Sequence, residues 1–268
     1  MTDATRTHVW GNTATYEAYM GRWSRPVAEA ALAWLGLPTR LTWLDVGCGT
    51  GALTEAILEA AAPREILGVD PSADFLATAA QITDPRVRFA IGDAHALPVL
   101  NEAYDVVIAG LVLHFVPDPP SAIREMMRAT RRGGTVAAYV WDSTGERQFT
   151  RPLWQAATAL DPAAATQDPS LQCTVCDPEP LAALFAAAAL QAVTVQAVVV
   201  PTVFRDFDDY WQPQLLGGSS PAQRYVASLG DGQRTVLRER LQATLPLADD
   251  GSIPLRGHVW AVRGTKDA

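Results

Sequence analysis

The chain has 268 residues, and 49% of them are hydrophobic, enough to fill a sizeable core. Its formal net charge is −8, which argues against a nucleic-acid partner, because phosphate binding rests on Lys and Arg. No apolar run reaches the roughly 18–20 residues of a membrane span, and the segment Met1-Thr2-Asp3-Ala4-Thr5-Arg6 lacks the apolar core of a signal peptide. A cytoplasmic protein without a membrane span is the expectation.

The first 25 residues combine Trp10, Tyr16, Tyr19 and Trp23 with polar neighbours. Pro26–Leu35 then reads as a helix, with Ser24 as its cap. Leu41–Val46 is a first strand, and Ala52–Ala61 carries apolar residues at helical spacing. Glu65–Asp70, Val87–Gly92 and Tyr104–Gly110 read as further strands, with a helix over Ala73–Ile82. Tyr104–Gly110 is nearly all apolar, as a strand covered on both faces should be. Pro120–Thr130 is a helix, broken by Gly133-Gly134 before a fifth strand at Thr135–Trp141. Beyond it lie a polar, partly helical stretch over 143–177, a helix over Glu179–Leu190 and a β-branched strand over Val193–Val200. Phe204–Leu245 is helical again, and His258–Arg263 is a short final strand. The alternation over residues 40–142 implies right-handed crossovers and a parallel sheet with helices on both faces.

Three cysteines are present, Cys48 and a single C-x-x-C of Cys173 and Cys176. One such pair falls short of the four ligands of a structural zinc. It also sits in a Pro- and Asp-rich loop rather than at a helix start, so both thiols are read as incidental and no metal is expected.

Leu44-Asp45-Val46-Gly47-Cys48-Gly49-Thr50-Gly51 runs from a strand through a glycine turn into a helix. Such a helix start presents free backbone N–H groups to an anionic or carboxylate-bearing ligand. Gly47, Gly49 and Ala52, with Asp70 some twenty residues on, also satisfy the dinucleotide fingerprint, so a nicotinamide enzyme stays open on this loop. Gly68-Val69-Asp70-Pro71-Ser72, Gly92-Asp93-Ala94-His95-Ala96-Leu97-Pro98, Tyr104-Asp105-Val106-Val107 and Arg132-Gly133-Gly134-Thr135 follow in order.

Together these five motifs resemble the class I S-adenosylmethionine-dependent methyltransferases. They look most like the type 11 branch, which is similar to the ubiquinone-biosynthesis methyltransferases. Arg132 stands where that family usually has proline. The resemblance implies an α/β fold: a Rossmann-like, seven-stranded, mostly parallel sheet with an antiparallel last strand and helical insertions forming a lid. Residues 1–268 would form one domain, with a helical lid at 1–35, a donor-binding core at 36–142, and insertions at 143–177 and 202–252 shaping the acceptor pocket.

The implied cofactor is S-adenosylmethionine, with S-adenosylhomocysteine as product. Gly47, Gly49 and Gly51 would let the backbone approach its methionine end, with Asp45 near the ammonium, directly or through water. Asp70, followed by Pro71, would accept two ribose hydroxyls; Asp93 and Ala94 would address adenine, and Leu111 and His114 the methionine end. Tyr16–Arg25 is similar to a segment that folds over the donor. Tyr16 or Tyr19 would then sit near the sulfonium, and Arg22 or Arg25 would pair the donor carboxylate. His114, Asp142 and Tyr139 are the catalytic candidates toward a small-molecule acceptor, with Trp141 as a wall.

Plainer roles stay open beside these: caps for Asp70 and Asp93, a backbone-satisfied His114, front aromatics packed on the sheet, and an acidic face in water for Asp206, Asp208 and Asp209. Also open are a donor-binding protein without catalysis, a macromolecular acceptor, and a monomer or a homodimer.

Overall fold

A computed structural model describes residues 17–142, 149–169, 173–216 and 220–268; Trp10 and Tyr16 lie outside them. Seven strands form one sheet in the order β3-β2-β1-β4-β5-β7-β6. They are β1 (Thr42–Val46), β2 (Glu65–Asp70), β3 (Val87–Ile91), β4 (Tyr104–Gly110), β5 (Thr130–Trp141), β6 (Gln191–Phe204) and β7 (Ile253–Thr265). β1 to β5 pair in parallel, and β7 runs antiparallel to both β5 and β6. The strand order reverses between β1 and β4, so their carboxyl ends open the crevice where such sheets bind ligands.

Period-two alternation divides the core. Trp43, Val106 and Ile108 face one cluster, with Val27, Ala31 and Ile57 from two helices. Leu44, Val107 and Ala109 face the other, with Ile123, Met126 and Phe185. The elements over 204–245 resolve into helices at Phe207–Trp211, Pro221–Ser228 and Asp231–Thr244. Among the described residues, no helix is long and apolar enough to cross a membrane.

Several boundaries differ from those read in the sequence. The front helix spans Arg22–Leu35, preceded by a π-helical turn at Glu17–Gly21. Ser24 is therefore inside the helix rather than its cap. Gly133-Gly134 does not break a helix ahead of β5: the strand begins at Thr130, and an irregularity in the β4 pairing absorbs the glycines. β7 is twice as long as the apolar core of its sequence suggests, because all of it pairs with β6.

The front helix is bound to its surroundings by its arginines. Arg22 donates from both terminal nitrogens to Asp209, each at 3.0 Å, and its guanidinium lies over Phe204. Arg22 also holds the Asp209 carboxyl below the usual carboxylate range. Arg25 binds Glu29, Glu55 and Glu59, tying the front helix to Ala52–Ala61. Phe204, Tyr210 and Trp211 are buried with Trp23, so these aromatics are core, and Asp206 caps the Phe207–Trp211 helix.

The bidentate Arg22–Asp209 pair is half-buried, whereas the Arg25–Glu29 pair is exposed. A double-mutant cycle to alanine on Arg22 and Asp209, followed by urea unfolding, should give a coupling of about 0.5–3 kcal/mol. The same cycle on Arg25 and Glu29 should give about 0.3–0.5 kcal/mol. Equal couplings would contradict a larger contribution from the half-buried pair.

Candidate active site

β1 delivers the chain into the glycine loop. Gly47, Gly49 and Gly51 all have left-handed φ angles, +72°, +55° and +96°, which glycine adopts at no steric cost. The loop is held by β2: Gly47 and Cys48 donate to the Val69 carbonyl at 2.7 and 3.1 Å, and Gly49 N–H donates to Asp70 Oδ2 at 3.0 Å. Asp70 Oδ1 accepts from Ser72 N–H at 2.8 Å. Ser72, not Asp70, caps the following helix. From the front turn, Glu17 accepts from the Thr50 hydroxyl at 2.6 Å, a tie that no sequence spacing signals.

A cavity of about 700 Å³ opens at this rim. Gly47, Gly49, Asp70 and Pro71 line it, followed by Asp93 and Ala94 beyond β3. Leu111 and His114 line it after β4, and Tyr139 and Asp142 do so from β5. Leu111 is held at φ +58°, a strained conformation for a branched side chain, and its N–H donates to the Tyr139 carbonyl. A β-carbon at Gly110 would run into the Tyr139 hydroxyl, so that glycine makes room for the tyrosine. Asp93 accepts from the His95 N–H at 2.9 Å and lies 2.6 Å from its Nδ1, which is a local turn rather than a helix cap.

Met20, Trp154 and Ala222, which sequence spacing did not single out, also line the cavity, as does Ser24, read in the sequence as a helix cap. They reach the cavity from the front turn and helix and from two distant helices. Cys173 and Cys176 also line it. They form a disulfide, which corrects their reading as incidental thiols: a bend of the loop before the Pro178–Ala187 helix brings them to a Cα separation of 5.5 Å. Among the described residues, no cluster of three or more His, Cys, Asp or Glu is arranged to hold a metal.

Residues 44–138 match the family described as a methyltransferase domain. The demethylmenaquinone methyltransferase of Roseiflexus castenholzii is 33% identical over 168 residues, covering 58% of this chain and 70% of that protein. The chain belongs to the methyltransferase domain family. The trans-aconitate 2-methyltransferase of Variovorax paradoxus is 31% identical over 151 residues, 56% of this chain and 57% of that protein. Several such curated relatives are spanned over only half to three-fifths of their length: 50%, 57% and 60%. The Haemonchus contortus phosphoethanolamine N-methyltransferase 2 in complex with S-adenosyl-L-methionine matches with a TM-score of 0.57 and 17% identity. That match covers 95% of this chain and 56% of the solved one, and it shows a shared fold.

Not every residue that the methyltransferase resemblance singles out reaches the cavity. Arg22 and Arg25 do not: their guanidinium groups are engaged by Asp209 and by the three glutamates, away from the wall. Tyr19 lies in the π-helical turn, and its side chain is outside the described residues. Gly51 packs toward Ile82 beneath the loop.

Asp45 is also beneath the loop rather than on the wall. It is 1% exposed, and its Oδ2 accepts from the Thr54 hydroxyl at 2.8 Å. The helix over Ala52–Ala61 starts at Gly51, which has no side chain to cap it. Asp45 serves that end from the strand below, where an anion is favoured. Its Oδ1 is buried without a hydrogen-bond partner. Burial, opposed by the Thr54 bond and reinforced by Asp70, pushes its carboxyl up to about 7. Burial and the same two carboxylates push the Cys48 thiol up as well, so it stays protonated and unreactive.

The Asp45 shift has a stability consequence. In the unfolded chain the group ionises near 3.8, and in the folded protein near 7. Wild type therefore loses stability as pH rises through that window. Asp45→Asn keeps an acceptor for Thr54 and does not ionise. Its stability relative to wild type should grow by a few kcal/mol between about pH 5 and pH 8. Urea unfolding at the two pH values checks this, and a difference that does not grow would refute it.

Proposed function

We propose that this chain transfers the methyl group of S-adenosylmethionine to a small organic acceptor. The observation that carries this reading is one continuous cavity. It runs from Gly47, Gly49, Asp70 and Asp93 at one end to Tyr139, Trp141 and Asp142 at the other. Its volume falls in the range of small-molecule sites. The relatives named for demethylmenaquinone and trans-aconitate point to the same size of acceptor.

The residues present fit the donor. A β-carbon at Gly49 would meet nothing within 4 Å, so the backbone there faces open space in which a ligand can approach it closely. The buried Asp45 Oδ1 without a hydrogen-bond partner suits an ordered water between the loop and an ammonium. A carboxylate has about four lone-pair sites, so the backbone bonds at Asp70 are compatible with accepting two ribose hydroxyls. Asp93 and Ala94 would address adenine from the loop after β3.

S-Adenosylmethionine, when bound, supplies an electrophilic methyl group on a sulfonium. Because that leaving group is already activated, the protein's contribution is chiefly positioning, which can supply up to about 7–11 kcal/mol of barrier reduction. Leu111 and His114 would fix the methionine end. Tyr139, Trp141 and Trp154 would hold the acceptor and exclude water. The helices over 151–160 and 221–228 would close the acceptor side.

Calorimetric titration tests the donor. S-Adenosylhomocysteine should bind, and Asp70→Ala should weaken it about tenfold or more, on the order of 1.4 kcal/mol. Binding of NADH in place of S-adenosylhomocysteine would overturn the reading. Labelled methyl transfer across a metabolite library then identifies the acceptor.

A further inference from the structure

The amino ends of β1, β2 and β3 form the edge of the sheet opposite the glycine loop, and an arginine precedes each of them. Arg40 stands two residues before β1, Arg64 one before β2 and Arg86 one before β3. These strands are neighbours in the sheet, about 4.8 Å apart, so their parallel course brings the three arginines to one edge. Backbone bonds lace the turns together. Arg40 N–H donates to the Ala62 carbonyl at 3.0 Å, Arg64 N–H to the Leu41 carbonyl at 2.9 Å, and Ile66 N–H to the Arg86 carbonyl at 2.8 Å. An open cavity of about 490 Å³ results, lined by Thr39, Arg40, Ala62, Pro63, Arg64 and Arg86. Arg40 and Ala62 hold left-handed φ angles of +64° and +41°. Strained non-glycine residues of this kind gather at ligand sites, and here two of them are hydrogen-bonded to each other in one wall.

The edge carries excess positive charge. Among the described residues, no hydrogen bond or ion pair engages the guanidinium of Arg40 or Arg64. Arg86 donates to Asp84 at 2.9 and 2.7 Å, and Glu65 is offset by Arg88 at 3.9 Å. The helix over Ala52–Ala61 also ends here, and the negative end of its dipole is equivalent to about half a charge. Three guanidinium groups against one carboxylate and that dipole leave about one and a half positive charges, on a chain whose formal net charge is −8. The helix end alone therefore does not account for them. A phosphate group carries about −1.5 to −2 near neutral pH and three acceptor oxygens, and each arginine fork can meet two of those oxygens.

We infer that this edge is an anion site, separate from the methyl-transfer cavity, that binds a phosphate dianion, free or as a monoester, between Arg40 and Arg64. Arg86 is turned by Asp84 and adds to the field, and Thr39 adds a hydroxyl. About 20 Å of β2 separates Arg64 from Asp70, so the two sites can be filled together. The assignment does not depend on the methyl-transfer reading.

Calorimetric titration of the full chain at low salt, with and without S-adenosylhomocysteine, tests the site. Inorganic phosphate should bind with a Kd of about 1 mM or tighter, equally in both conditions, and acetate about tenfold more weakly. Glycerol 3-phosphate binding more tightly than phosphate would identify a monoester as the ligand, and equal binding the free ion. Arg40→Gln combined with Arg64→Gln should weaken phosphate about tenfold or more. Arg124→Gln combined with Arg240→Gln removes the same charge from exposed arginines elsewhere and should leave phosphate binding unchanged. No phosphate binding at millimolar concentration overturns the proposal, as does acetate binding as tightly as phosphate. Equal weakening by the two double variants, or competition between phosphate and S-adenosylhomocysteine, overturns it as well. If the Arg40 and Arg64 double variant does not fold, Arg64→Gln alone should still weaken phosphate, and unchanged binding there counts against the site.

Discussion

The tie between the loop after β1 and the end of β2 is the constraint on which the rest depends. A strand that ends in a glycine turn has several backbone N–H groups without ladder partners. Here Val69 and Asp70 take three of them, from Gly47, Cys48 and Gly49. That leaves the loop in one left-handed course and sets the start of the Ala52–Ala61 helix. With no side chain at Gly51, the helix end draws on Asp45 from within the sheet. The same few bonds therefore fix the loop, the helix and the floor of the cavity.

Charge is used in two ways around this frame. On the outside, Arg22 and Arg25 clamp the front helix to the Phe207–Trp211 helix and to Ala52–Ala61. On the inside, Asp45, Asp70 and Asp142 are buried carboxylates that accept from a hydroxyl, from backbone N–H and from an indole N–H. Hydrogen bonds to ionised groups can stabilise a buried anion where they are well directed.

Much of the fold was legible in the residues. The β2 span Glu65–Asp70, the β4 span Tyr104–Gly110 and the helix Ala52–Ala61 coincide with what spacing predicts, because each has an uninterrupted period bounded by turn residues. β5 and β7 were read short, since Arg131–Gly134 in β5 and Pro254, Arg256 and Gly257 in β7 interrupt the apolar run and are held in the strand by neighbouring strands rather than by their own propensity. Much of the candidate site was legible too: Gly49, Asp70, Asp93, Leu111 and Asp142 all follow strand ends or lie at them, and strand ends of a parallel sheet share one rim. The disulfide of Cys173 and Cys176 was not legible, because four residues of loop fix no geometry.

The sequence by itself determined the order of strands and helices, the glycine loop and the acidic residues at strand ends. These depend on neighbours within a few positions, where periodicity and backbone preference act. The tertiary structure alone decided which charged groups reach the cavity. Arg22 meets Asp209 across 187 positions, and Trp260 meets Asp142 across 118. Nothing local distinguishes an arginine that will face a ligand from one that will close a salt bridge. Only packing brings such partners together, so the glycine loop's immediate surroundings could be read along the chain, whereas the partners of Arg22, Asp45 and Asp142 could be read only across it.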